Sequence, residues 1–117
     1  MGLHDDKRKF PRAHIVLPVS VARGKDMQQV EIEDVTVEGI SLLSKNDLPK
    51  GTNISVIIPS GKELAENTVP GEVLRSQLLK EDADKRFRII VKFLEINDAL
   101  LMDILALIHR EDKNTKK

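Results

Sequence analysis

The sequence predicts an all-β fold with a C-terminal helix, a small six-stranded antiparallel β-barrel. Three observations predict it. Apolar residues alternate at period two in six short runs between Ile15 and Glu95. Turn-forming Gly, Pro, Asn and Asp separate those runs, with no helical segment between them, which favours antiparallel neighbours over βαβ units. The period becomes helical only from Asn97 onward. Short strands of this kind close into a barrel, and an amphipathic terminal helix covers its open side.

Each element follows in order. In Ile15 to Arg23, the residues Ile15, Leu17, Val19 and Val21 form one apolar face. Pro18 falls on the opposite phase and has no N–H to donate, so this strand is expected to have an open edge there. Arg23-Gly24-Lys25-Asp26 is a turn, and Gln29 to Val35 alternates through Val30 and Ile32, with Val35 beyond. A tight connection from Asp34 to Gly39 leads into Ile40 to Ser44. After the turn Leu48-Pro49-Lys50-Gly51 come Ile54, Val56 and Ile58, closed by Pro59-Ser60-Gly61. Val69, Gly71, Val73 and Arg75 mark a longer strand, and the charged loop Lys80 to Arg86 precedes the last strand, Phe87 to Glu95. From Asn97 to His109, Leu100, Leu101, Ile104, Leu105 and Ile108 fall at helical spacing, with Asn97 or Asp98 as N-cap. The expected organisation is a basic arm over residues 1–13, a barrel with its helix over 14–110, and a frayed tail over 111–117.

A chain of 117 residues suits one domain and can bury a core without disulfides or a structural metal. It has no cysteine, which excludes a disulfide framework and thiolate metal sites. The 19 Lys and Arg balance 19 Asp and Glu, so net charge names no partner. The polar N-terminus lacks an apolar signal core and no apolar run reaches the length of a membrane span, so an unexported, cytoplasmic protein without membrane insertion is the expectation. Trp and Tyr are absent and there are three Phe, too few aromatic platforms for a single-strand nucleic-acid surface. His4, His14 and His109 are scattered without metal-ligand spacing. The serines lack a nucleophile elbow, and no P-loop or GxGxxG occurs, so an enzyme is not expected.

Two segments carry recognisable chemistry. Lys7-Arg8-Lys9-Phe10-Pro11-Arg12 places four cations in six residues. Arg8 and Arg12 offer planar forks that pair with phosphate oxygens and stack on bases, and Pro11 biases Phe10 to an extended backbone. The segment reads either as an anion-binding arm or as a solvated leader. Asp34-Val35-Thr36-Val37-Glu38-Gly39 lies at the bend between the second and third strands. Asp34 can accept from the N–H edge of a guanine, Thr36 adds a hydroxyl on the same face, and Gly39 permits a sharp turn or close approach of a ligand. Equally, Asp34 and Thr36 can serve their own turn through backbone hydrogen bonds.

Together these segments resemble the PilZ domain family. Arg8-Lys9-Phe10-Pro11-Arg12 is similar to its RxxxR motif, and Asp34 to Gly39 to its (D/N)xSxxG motif, with Thr36 where Ser is usual. Gly71-Glu72-Val73-Leu74-Arg75 resembles the family's GxVxR strand. Arg88 to Leu94 resembles the closing strand, with Ile90 in place of a frequent glycine. The likeness runs from about Lys7 to Ile108. It implies a PilZ-like split barrel and a receptor for cyclic di-GMP, with no cofactor and no metal. It implies that Lys7, Arg8 and Arg12 meet the ligand's phosphates and guanines, that Asp34, Thr36 and Gly39 form the facing surface, and that a downstream protein reads the closed arm. The alternatives are a PilZ-like interaction module that does not bind nucleotide, serving motility or pilus assembly, and a small-barrel RNA binder.

Overall fold

The computed structural model describes residues 11–115, with side chains described to Glu111. Lys7 and Arg8 lie outside the described residues. The elements are β1 (Ala13–Arg23), β2 (Asp26–Val35), β3 (Gly39–Ser44), β4 (Asn53–Ile58), β5 (Asn67–Leu78), β6 (Phe87–Phe93) and α1 (Asp98–Thr115). The six strands form a closed antiparallel barrel in the order β1-β2-β3-β6-β5-β4, as the alternating pattern predicts.

Period two places Ile15, Val19 and Val21 of β1 inside, facing Ile32, Leu42, Val56, Val73, Ile89 and Val91 from the other strands. The β1–β2 turn closes on Gly24, whose φ of 59° suits a residue without Cβ. β1 pairs with β4 at Ser20, Val21 and Ala22, so Pro18 lies beyond that ladder, although it is paired with Glu31 of β2 on the other side.

The helix begins as its sequence predicts. Asn97 Oδ1 accepts the Leu100 N–H at 2.9 Å, and the Asn97 carbonyl accepts Leu101 N–H at 3.0 Å. The Asn97 and Asn67 side-chain amides also bond each other, tying the helix start to the head of β5. Leu100, Ile104 and Leu107 are buried in the barrel core, and Ile108 packs against it. Leu105, at helical spacing with the others, is exposed, because the inward stripe runs at i, i+4 and i+7 from Leu100. α1 continues to Thr115, past the last apolar residue of the stripe. Leu48 and Leu64, in the connections on either side of β4, are also buried and belong to the same core.

The loop between β5 and β6 is tightly organised. Asp82 accepts from Arg86 Nε at 3.0 Å, Nη2 at 3.1 Å and the Arg86 backbone N–H at 3.0 Å, and Arg86 reaches Glu31 of β2 at 3.3 Å. The hydrogen bonds from Arg86, side chain first and then backbone, hold the Asp82 carboxyl down at about 2. A carboxyl depressed from 3.8 to about 2 on folding adds stability that is complete above the first value and disappears as pH falls through the second. Asp82→Asn should therefore unfold at lower urea than the parent at neutral pH. That gap should close as titration proceeds from pH 3.8 to about 2, and a gap unchanged by acid would show that the pair contributes nothing.

Candidate functional site

The site grows from an irregularity in β2. Ile32 pairs with Leu42 and Asp34 with Ser41, so β2 carries one residue more than β3 at this point. The ladder with β1 is also broken here, between His14 and Leu17. The extra residue changes the phase of β2. Val30 and Ile32 point inward, and so does Val35, an odd number of residues further on. Glu33 and Asp34 therefore both lie on the outer surface in succession.

The register then assembles a row across the barrel wall. His14 of β1 stands opposite Asp34, Asp34 opposite Ser41 of β3, Ser41 opposite Ile90 of β6, and Ile90 opposite Arg75 of β5. Asp34, with a side chain 19% exposed, is held on both oxygens: Arg12 Nη1 lies 3.5 Å from Oδ2, and His14 Nδ1 lies 3.2 Å from Oδ1. The His14 backbone N–H donates to Glu111 Oε1 of α1 at 2.6 Å. A cavity of about 340 Å³ opens beside His14, walled by Val16, Glu63, Leu107, Arg110 and Glu111.

Glu33 anchors the neighbouring position. Arg88 of β6 grips it with Nε on Oε2 and Nη2 on Oε1 at 3.1 Å, and the Ser41 hydroxyl donates to Oε2 at 2.6 Å. Burial works to raise the Glu33 carboxyl, but the bonds from Arg88 and Ser41 outweigh it and hold it below its ordinary value. The hydrogen bonds to Glu33 in turn hold the Arg88 guanidinium above its own ordinary value. This bidentate pair spans from β2 to β6 across β3 and fixes the extra residue in place.

The bend after β2 divides the sequence-stated roles. The Thr36 hydroxyl accepts the N–H groups of Glu38 at 3.0 Å and Gly39 at 3.1 Å and donates to the Gly39 carbonyl at 3.3 Å, so it braces its own turn. Asp34 does not cap that turn; it reaches back to Arg12 and His14. Gly39 is required by packing. A Cβ built there would lie 2.0 Å from the Val91 carbonyl oxygen, and the Glu38 carbonyl beside it accepts the Phe93 N–H at 2.8 Å. Its conformation is not left-handed, so neither a sharp turn nor a ligand is needed to account for it.

Of the residues expected at the site, the structure brings Arg12 and Asp34 into contact and sets Thr36 and Gly39 at the end of the same strand pair; Lys7 and Arg8 lie outside the described residues. Sequence reasoning missed Glu33, His14, Ser41 and Arg88. One signal for them was present: the spacing of Val30, Ile32 and Val35, two and then three, betrays the extra residue. Among the described residues, no three His, Asp or Glu gather as a metal site, and no helix is long and apolar enough to cross a membrane.

The family model for the PilZ domain matches residues 6–110. The chain belongs to the PilZ domain family. Solved structures agree on the PilZ fold. The Bacillus subtilis inhibitor of motility MotI/DgrA is similar over 99% of this chain and 58% of its own, at a TM-score of 0.76 and 16% identity. The PilZ domain with c-di-GMP of Escherichia coli YcgR is similar over 95% of both chains, at 0.70 and 13%. The K. pneumonia MrkH–c-di-GMP complex covers 95% of this chain and 56% of its own, at 0.72 and 17%. This chain thus spans 58% and 56% of the lengths of MotI/DgrA and MrkH. At such identities the likeness establishes the fold. Comparison with curated proteins finds no match.

The packing at Gly39 gives a direct test. Gly39→Ala forces the β2–β3 bend away from β6 and should cost about 1–3 kcal/mol, the range for overpacking a tight contact. The midpoint of urea unfolding checks this, and a variant as stable as the parent would mean that β6 yields freely at Val91.

Proposed function

We propose that this PilZ domain is a receptor for cyclic di-GMP, with its basic N-terminal arm closing over nucleotide held on the outer wall of the barrel. The observation that carries the reading is the contact of Arg12 with Asp34 at 3.5 Å. The last residue of the RxxxR motif and the first of the DxTxxG motif lie 22 positions apart in sequence, and the β1–β2 ladder joins them. The arm therefore enters the barrel at the carboxylate it would share with the ligand. That YcgR and MrkH have been solved with c-di-GMP supports the assignment.

In this reading Asp34 accepts the N1–H and N2–H₂ edge of one guanine, and Arg12 and Arg8 turn to the phosphates and to guanine O6 and N7. Lys7, before the motif, adds a point charge rather than a fork. Thr36 and Gly39 contribute by holding the bend that presents Asp34. Each charge-assisted hydrogen bond is worth about 1.5–3 kcal/mol net, against about 1–2 kcal/mol for every backbone position ordered. The two nearly balance, so a single arginine decides whether binding is measurable. The closed arm forms a surface that a downstream protein can read, which makes the domain an effector rather than a catalyst.

Thermal melts of the full chain with cyclic di-GMP test this. Ligand at 100 times its dissociation constant adds about 2.7 kcal/mol and should raise the midpoint by on the order of 10 °C. Arg8→Ala, Arg12→Ala and Asp34→Asn should each reduce that rise to near zero. An unchanged melt of the parent protein would instead favour an interaction module that needs no nucleotide, and equal response to GMP would exclude dinucleotide selectivity.

A further inference from the structure

We infer that His14 is an affinity-determining residue of the nucleotide site, a side chain that occupies Asp34 and is exchanged for the guanine edge on binding. The inference rests on the nucleotide reading above and deepens it.

Three observations carry it. His14 stands directly opposite Asp34 in the β1–β2 register, so the contact is built into the sheet. Its Nδ1 lies 3.2 Å from Asp34 Oδ1 while Arg12 takes Oδ2, so each carboxylate oxygen already has a cation-capable donor from the same chain. A guanine offering N1–H and N2–H₂ presents two donors to that same pair of oxygens. The imidazole has somewhere to go, since its side chain is 65% exposed and borders the cavity of about 340 Å³ between β1 and α1.

The direction of the effect follows from charge. Imidazolium binds the Asp34 carboxylate through an ion pair, whereas neutral imidazole donates one ordinary hydrogen bond. Replacing the charged form by a neutral guanine edge is therefore the harder exchange. The other charges around His14 are Arg12, which shares Asp34 with it, Glu33 on β2, which feels its charge and is paired with Arg88 on β6, and Glu63, Arg110 and Glu111, which line the same cavity. The cavity holds charges of both signs, Glu63 and Glu111 beside Arg110, so a ring that swings aside meets no single sign of charge. The Asp34 contact exists in one position only. Acid therefore weakens nucleotide binding through His14. The ligand's phosphodiesters and guanine N1 do not titrate across the histidine range.

Calorimetric titration of the full chain with cyclic di-GMP, at about pH 7.5 and about pH 5.5, tests the exchange. Parent, His14→Ala and His14→Gln are compared, with melts of each protein alone to verify folding. Glutamine keeps a donor but cannot take a charge. The parent should bind about two- to fivefold more weakly at the lower pH, the range expected from an exposed ion pair. Both variants should bind with the same affinity at the two pH values, and more tightly than the parent at the lower one. Variants that bind more weakly than the parent, that keep its pH slope, or that accompany a parent whose affinity rises in acid would overturn the inference while leaving the nucleotide reading intact. A parent that binds at neither pH overturns both.

Discussion

The whole outer wall of this barrel depends on one extra residue in β2. A strand in perfect alternation would turn Asp34 into the core if Ile32 stays there, and Val35 out into water. Adding a residue relative to β3 lets Ile32 and Val35 both remain inside, and two consecutive carboxylates emerge side by side. Such an arrangement is expensive unless each carboxylate is satisfied. Glu33 receives Arg88 and Ser41, and Asp34 receives Arg12 and His14. The partners come from β1 and the residue just before it, from β3 and from β6, so the irregularity is stabilised by closure of the sheet around it.

The two carboxylates are held in different ways. Glu33 is gripped by a planar fork and a hydroxyl, with its side chain only 12% exposed, and it serves the architecture. Asp34 is held by partners that are more exposed than itself and that sit beside the chain's entry to the barrel. A rigid pair next to a replaceable pair is a sensible division for a receptor. The first keeps the geometry while the second changes partners.

Much of this was legible in the sequence. Alternation located all six strands, the change of period located the helix, and Asn97 proved to be its cap because an amide at that position can accept from the first turn. The RxxxR and DxTxxG segments could be read as chemistry before their meeting was visible. What stayed hidden was register. Nothing in a linear sequence says that His14 will face Asp34 or that Arg88 will reach Glu33 55 positions away, because cross-strand pairing is settled by ladders that only the closed barrel completes. Which helix residues turn inward was hidden for a simpler reason, and Leu105 is one that does not. Four apolar residues per two turns offer more than one stripe, and tertiary packing selects among them. Thr36 and Gly39 were noticed for their chemistry, yet both have full explanations in the turn and in contact with β6.

The narrow seam between β1 and β4 has a practical consequence. Only Ser20, Val21 and Ala22 of β1 have partners on β4, and toward its start the strand leans on the far end of α1, where the His14 amide meets Glu111. The helix end thus acts as a substitute neighbour for the strand that carries His14 and that follows directly on Arg12. Shortening the chain before Glu111, or fusing a rigid tag just after the helix, would loosen β1 at its first residues. Its amides there would then exchange with deuterium ahead of the rest of the sheet.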